Sequence, residues 1–219
     1  MKLGQRFYKN LTNGYFRIKG MGIFALIPVL ILYIFIPLIN YAVYRYFENL
    51  DMLYDNVITV GKCLIPICSV WYILFILYHF IEEPGNEVLY IGKKGKLGEL
   101  VFPYMVYLVM ILPLFFVYTH FFPELWFFFL QLSMINFAYL SFAYCAAFLT
   151  NTILVSAVGI LVYTIWDCML NNNAQIFIYK EAVENVGQFM KVIILPYIIV
   201  AFCFCVVGMI GNYYKLKYK

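Results

Sequence analysis

The chain has 219 residues, of which 65% are apolar and only 12% are charged, and its formal net charge is +4. These proportions exclude an ordinary soluble domain, in which about half of the residues are apolar and about a quarter are charged. The aromatic share of 21% would also leave large apolar patches on any surface that faced water. Composition therefore predicts an integral membrane protein.

The chain begins with a basic stretch and continues with six apolar runs. Residues 1–20 carry five Lys or Arg residues, with apolar side chains at four-residue spacing, which is typical of an interfacial amphipathic helix. A membrane-spanning helix needs about 20 apolar residues. The six runs are 22–45, 58–81, 100–118, 125–149, 153–167 and 192–213. We expect a single all-α transmembrane domain over 1–219 with six transmembrane helices, in which the fourth and fifth runs form a tight hairpin; one longer bent helix is the alternative.

Basic residues predict the orientation of these spans. Lys and Arg are concentrated in the N-terminal stretch, in the loop 82–99 and in the C-terminal tail, whereas the other loops are acidic or mixed. Because Lys and Arg of short loops stay on the cytoplasmic side, we expect both termini and the loop 82–99 in the cytoplasm. The segment 167–191 is then a semi-helical excursion at the outer surface. The Phe, Tyr, Ile and Asn usage is typical of an AT-rich bacterial genome, so the expected location is the bacterial plasma membrane.

Two charged residues lie deep enough in the predicted spans to be costly, Lys62 and Asp167. Both fall near the outer ends of their spans, so each can extend its charge to the interface, or the two can form an ion pair. The six cysteines mostly lie inside apolar runs, without a Cys-x-x-Cys pair or a histidine cluster. We therefore expect neither a disulfide nor a zinc site.

Span four is the most polar of the buried helices. Its polar residues include Gln131, Ser133, Asn136 and Tyr144. They can line a substrate path, or they can bond neighbouring helices together, as small and hydroxyl residues in membrane helices usually do. Both interpretations remain open at this point.

The densest charge in the chain lies in the loop 82–99. Pro84 is expected to end span two, and Asn86 and Gly92 to bound a short helix. This helix is apolar on one side and suits docking on another protein. The alternative is a solvated loop whose lysines anchor it at the membrane surface.

The chain resembles the membrane subunits of type-2 ABC exporters in the order of four features. They are a basic amphipathic N-terminus, six spans, an acidic turn after span two, and a semi-helical excursion between spans five and six. In that family the turn after span two contains Glu, a few residues, Gly-Thr, and then Glu followed by two leucines. The matching positions here are Glu82 or Glu83, Gly85, Glu87, Val88 and Leu89. Asn86 stands in place of the threonine, and residues 91–94 stand in place of the customary Pro-x-x-Arg. The resemblance covers the whole chain as architecture and one short segment as motif.

The resemblance implies a transport subunit that is not itself an enzyme. Its loop 82–99 would be a coupling helix seated on a separate cytoplasmic ATP-binding subunit. The coupling residues would be Glu82, Glu83, Gly85, Glu87, Leu89, Lys93 and Lys94. Two such ATP-binding subunits, and a second permease copy or a paralogue, would complete the transporter within the lipid bilayer. ATP and Mg would bind to the partner, and no cofactor, metal or nucleic acid is expected on this chain.

One sequence feature supports a separate energy source without the resemblance. The chain lacks a phosphate-binding loop that ends in Gly-Lys-Ser or Gly-Lys-Thr. A path lined by Phe, Tyr and Met favours a hydrophobic or amphipathic cargo, such as a peptide, a bacteriocin-like antimicrobial toxin or a lipid-like drug.

Three other functions compete with an exporter. Glu82 and Glu83 invite comparison with intramembrane proteases and immunity proteins that carry Glu-Glu-x-x-x-Arg, but Glu87 occupies the arginine position, and His79 and His120 are predicted at opposite membrane faces. A secondary transporter or channel generally needs ionisable groups near the midplane, and this chain has almost none. An accessory subunit of a membrane complex is the third alternative.

Overall fold

The computed structural model describes residues 12–13, 15–84, 97–170 and 185–218, and these form helices without any strand. A short helical segment, 15–20, precedes six longer helices. They are α1 (Gly22–Phe47), α2 (Leu50–Ile81), α3 (Leu97–Phe121), α4 (Leu125–Thr150), α5 (Ile153–Leu170) and α6, which runs through Val186–Phe189, Met190–Ile194 and Leu195–Tyr218.

Within the described ranges, five helices are long and apolar enough to cross a membrane, namely all except α5. Helix α5 is apolar but has only 18 residues, which corresponds to about 27 Å. The predicted multi-pass helical character is therefore supported. Six crossings, and the side on which each end lies, remain predictions.

Helix α2 begins at Leu50, earlier than the predicted start at residue 58. Glu48 adopts a left-handed backbone conformation that ends α1, and the Asn49 side chain accepts a hydrogen bond from the Asp51 N–H at 2.8 Å. Such a cap begins a helix efficiently, and acidic residues in a first turn are favourable. The charged residues between 50 and 58 therefore precede the apolar segment of α2, but they already belong to the helix.

Helices α4 and α5 are separate, so the alternative of one bent helix is wrong. Thr150 ends α4, Asn151 adopts a left-handed conformation with φ of 60°, and α5 begins at Ile153. Asparagine tolerates this conformation better than most residues because its short polar side chain can bond locally.

Helix α4 lies at the centre of the bundle, where it packs against α2, α3, α5 and α6. Its closest approach is to α6. A Cβ atom on Gly208 would lie 2.5 Å from Cδ1 of Tyr144 and 3.1 Å from the Cα of Cys145. The Cys205 thiol, on the same side of α6, donates to Oγ of Ser141 at 3.2 Å, and Ala201, one turn before Cys205, is fully buried. Small residues allow two backbones to pack closely in this way.

Two π-helical turns interrupt the regular helices. They are Ile31–Phe35 in α1 and Met190–Ile194 in α6, and each ends two residues before a proline, Pro37 or Pro196. A proline lacks an N–H group and its ring collides with the carbonyl four residues earlier. A local π turn accommodates that defect without ending the helix.

The helical segment 15–20 lies beside the C-terminal end of α2. The Arg17 guanidinium is 4.3 Å from the centroid of the Phe80 ring, a cation–π contact. This places the end of the predicted N-terminal amphipathic helix next to the start of the loop 82–99. Residues 1–11 of that predicted helix, and residues 171–184 of the predicted outer excursion, lie outside the described residues.

Candidate functional site

A cavity of about 690 Å³ lies between α4, α5 and α6. Its wall includes Gln131 and Tyr139 of α4, Tyr163 of α5, and Tyr197 and Phe204 of α6. None of the described residues that line it is charged. Its volume is in the range of small-molecule sites, which are mostly apolar with a few polar groups that orient the ligand.

Each of the three helices contributes polar groups to the cavity wall. Gln131 of α4, Tyr163 of α5 and Tyr197 of α6 all line the cavity. The hydroxyl groups of Tyr139 and Thr164 are 2.9 Å apart. Buried polar groups need such partners, and this contact joins the α4 wall of the cavity to α5.

The π turn of α6 also contributes to the cavity. Val192 and Ile193 of this turn, and Pro196 two residues after it, line the wall. Single π turns inside α-helices occur frequently at functional sites, because they displace side chains from the regular helical register.

A buried ion pair connects α2 to α5. The Lys62 Nζ is 3.1 Å from Oδ2 of Asp167, and the two side chains are only 1% and 9% exposed. The same ammonium donates to the Asp167 backbone carbonyl at 3.3 Å. Of the two alternatives left open by the sequence, the structure shows the ion pair and not a lysine that extends its charge to a membrane surface.

A disulfide joins Cys63 to Cys168 directly beside this ion pair, with a Cα–Cα distance of 6.0 Å. The expectation that the chain forms no disulfide was wrong. The two cysteines are 105 positions apart and come together only because α2 and α5 pack side by side. A usable signal was present, since each cysteine immediately follows one of the two deeply placed charges.

Of the residues predicted to form a substrate path, the structure places only Gln131 on the cavity. The Ser133 hydroxyl donates to the Phe129 carbonyl one turn earlier, and Tyr144 packs against Gly208. The fourth, Asn136, is fully buried and faces α2.

Asn136 takes part in the packing of α4 against α2. Its Oδ1 accepts a hydrogen bond from the Ser69 hydroxyl at 3.0 Å. Its Nδ2 has no partner in the described part of the chain. Asn136 therefore bonds one helix to another, as polar residues in membrane helices commonly do.

Two of the predicted coupling residues are described, and both have partners within this chain. Oε1 of Glu82 accepts a hydrogen bond from the Ile153 N–H at 2.8 Å, and the Glu83 carboxylate pairs with His79 one turn earlier in the sequence. The other predicted coupling residues, Gly85, Glu87, Leu89, Lys93 and Lys94, lie outside the described residues. Their role remains a prediction.

One polar network was not predicted from the sequence. The Asn56 amide donates to Oδ1 of Asn40 at 2.7 Å, and the Asn40 amide donates to the Tyr118 hydroxyl, also at 2.7 Å. The network joins α1, α2 and α3. Each residue is isolated in its own helix, so no spacing within the sequence indicates the connection.

Among the described side chains, no group of three or more His, Cys, Asp or Glu residues is arranged to hold a metal ion. Comparison of the chain with protein-family models, with curated proteins and with solved structures finds no match. The functional assignment therefore rests on the geometry of the cavity and of the contacts around it.

Proposed function

We propose that this chain is the permease subunit of an ATP-driven exporter for a hydrophobic or amphipathic molecule. The observation that carries the proposal is the hydrogen bond from the Ile153 N–H to the Glu82 carboxylate, 2.8 Å long. It connects the first residue of the loop 82–99 to the first residue of α5. Since α5 lines the cavity, a displacement of the loop can reach the place where a cargo would lie.

Electrostatics strengthens this connection. The N-terminal end of a helix carries a partial positive charge and free N–H groups, which attract a carboxylate. A cytoplasmic ATP-binding partner would bind ATP and Mg and would move the loop as it closes. Glu82 would then move the N-terminal end of α5.

The opposite end of α5 is held more firmly. There Lys62 pairs with Asp167, and Cys63 is bonded to Cys168. A helix held at one end and displaced at the other tilts, and a tilt of α5 changes the width of the cavity. Two such permease chains, identical or paralogous, and two ATP-binding subunits would form the complete transporter.

The cargo class follows from the cavity wall. Aromatic and aliphatic side chains predominate, and none of the described lining residues is charged. A peptide with apolar side chains, a bacteriocin-like toxin or a lipid-like drug would fit such a wall, whereas a strongly charged solute would lose its hydration without gaining a partner.

The first test compares two charge reversals in membrane vesicles that contain the chain and the ATP-binding subunit that co-purifies with it. Glu82→Lys places a cation at the positive end of α5, so we expect ATP hydrolysis to continue while export of a fluorescent apolar peptide falls by about tenfold or more. Glu48→Lys reverses another exposed acidic residue, far from α5 in sequence, and should leave export unchanged. Normal export by the Glu82 variant would refute the coupling role.

The second test concerns the side of the membrane. A cysteine introduced by Lys93→Cys should react with a membrane-impermeant maleimide only after the cytoplasmic face has been made accessible. Labelling from outside intact cells would place the loop beyond the reach of any ATP-binding partner, and the proposal would have to be abandoned.

A further inference from the structure

We propose that the cavity between α4, α5 and α6 binds one uncharged, lipid-like amphipath with a single long apolar chain, which enters sideways from the bilayer. A long-chain alcohol represents this chemical class. The statement that this ligand is the exported cargo rests on the proposed function, whereas its binding does not.

The apolar chain of the ligand matches the main part of the wall. Phe142, Ile160, Val200 and Phe204 from three helices contribute carbon surface around a volume of about 690 Å³. A hydrocarbon chain gains free energy in proportion to the apolar area that it covers, and a cavity already formed by rigid helices requires little reorganisation to accept it.

The head group of the ligand matches the polar groups of the wall. Tyr197, Tyr163 and Gln131 all line the cavity, and their hydroxyl and amide groups can donate to and accept from a neutral hydroxyl. Asp167, about one turn after Tyr163 on α5, is paired with Lys62 at 3.1 Å, so its charge is compensated. A carboxylate or ammonium head would therefore find no opposite charge among the described lining residues, and its burial would be unfavourable.

The route of entry follows from which lining residues are exposed. Val192, Val200 and Tyr163 all line the cavity, yet they are 64%, 45% and 44% exposed. Their outer sides belong to the apolar faces of α5 and α6, which lipid would cover in a membrane. The cavity thus opens between α5 and α6 towards hydrocarbon, and a ligand dissolved in the bilayer can enter without crossing water.

Binding can be measured on the purified full-length chain in lipid nanodiscs, without any ATP-binding subunit. The probes are a long-chain alcohol that carries a photoreactive diazirine and two probes of equal chain length that end in a carboxylate or a trimethylammonium group. After illumination, labelled peptides are mapped by mass spectrometry. We expect saturable labelling of cavity-lining peptides by the alcohol and weaker, non-saturable labelling by the charged probes.

Three variants distinguish the proposed site from general lipid contact. Tyr197→Phe keeps the ring but removes the hydroxyl, and should weaken saturable binding of the alcohol by about threefold to tenfold. Val200→Trp places a bulky ring at the exposed side of the cavity and should weaken saturable binding further. Tyr104→Phe is the matched control, because the Tyr104 hydroxyl donates to the Ser133 carbonyl away from the cavity, and should bind the alcohol normally.

Several outcomes would overturn the inference. Equal, non-saturable labelling of the exposed faces of α1, α3 and α6 would indicate ordinary lipid contact, and tighter binding of a charged probe would refute the neutral head group. Protection of the cavity peptides on dimerisation would mean that a second copy covers the opening. Saturable binding by a chain that supports no ATP-driven export would refute the proposed function alone, whereas export without saturable binding would refute this inference alone.

Discussion

Removal of one partner from the ion pair between Lys62 and Asp167 is expected to destabilise the helical bundle strongly. The two charges are 3.1 Å apart and their side chains are 1% and 9% exposed, so a lone remaining charge would stay in a region with little water. Breaking a buried pair by removing one partner costs about 3–5 kcal/mol, whereas replacement of both partners by apolar residues is often nearly neutral. We expect about 3 kcal/mol for Lys62→Met, because the slight exposure of Asp167 gives its carboxylate some relief.

The double variant Lys62→Met/Asp167→Leu should have a free energy of unfolding within about 1 kcal/mol of that of the natural chain, because no unpaired charge is left buried. The free energy of unfolding can be followed by titrating detergent-solubilised protein with sodium dodecyl sulfate and recording tryptophan fluorescence, to which Trp166 contributes from the position next to Asp167. A loss of about 3 kcal/mol corresponds to a change of roughly a hundredfold in the folding equilibrium. If the single and double variants lost the same free energy, an unpaired buried charge would not be the cause of the loss. If neither variant lost any, the pair would not hold α2 against α5.

Three further expectations concern packing and cross-linking. Gly208→Ala should lower the free energy of unfolding by about 1–3 kcal/mol, because the added Cβ would lie 2.5 Å from the buried ring of Tyr144. Gly20→Ala is the control, since no atom lies within 4 Å of its added Cβ, and it should show no such loss in the dodecyl sulfate titration. In oxidised protein, mass spectrometry of unreduced peptides should detect the disulfide between Cys63 and Cys168. In Cys168→Ser, the Cys63 thiol should instead react with an alkylating reagent. Tyr118→Phe should lower the free energy of unfolding by about 1–3 kcal/mol, because it removes the hydroxyl that accepts from the buried Asn40 amide. An unchanged midpoint of thermal unfolding would show that the network of Asn40, Asn56 and Tyr118 is dispensable.

The helices could be predicted from the sequence more accurately than their ends. A membrane-spanning helix is specified by the length and hydropathy of one continuous segment, and each of the six apolar runs lies within a helix. The start of α2 was missed because Asn49 begins the helix in a polar region, where hydropathy carries no signal. Caps depend on a single side chain and a single N–H group, so a window of averaged hydropathy does not register them.

The sequence identifies only those contacts of the candidate site for which the chain offers few alternative partners. The ion pair could be named as an alternative because the predicted spans contain almost no other deeply placed charge. The disulfide and the network of Asn40, Asn56 and Tyr118 were not expected, since both depend on which faces of distant helices meet. The cavity required the structure for the same reason, and of the four predicted path residues, Gln131, Ser133, Asn136 and Tyr144, only Gln131 lines it.

The five-residue π turn of α6 determines how the residues of that helix must be counted. Such a turn accommodates one extra residue, and one residue of an α-helix corresponds to a rotation of about 100°. Ile193 and Ile194 are consequently both buried, and Phe189 still reaches Phe127, with ring centroids 5.2 Å apart. A chain shortened by one residue within 190–194 would keep the C-terminal part of the helix in place but would swing the aromatic side chain before the turn away from the bundle. Deletions and insertions, more than exchanges of one apolar side chain for another, are therefore the changes that this stretch tolerates least.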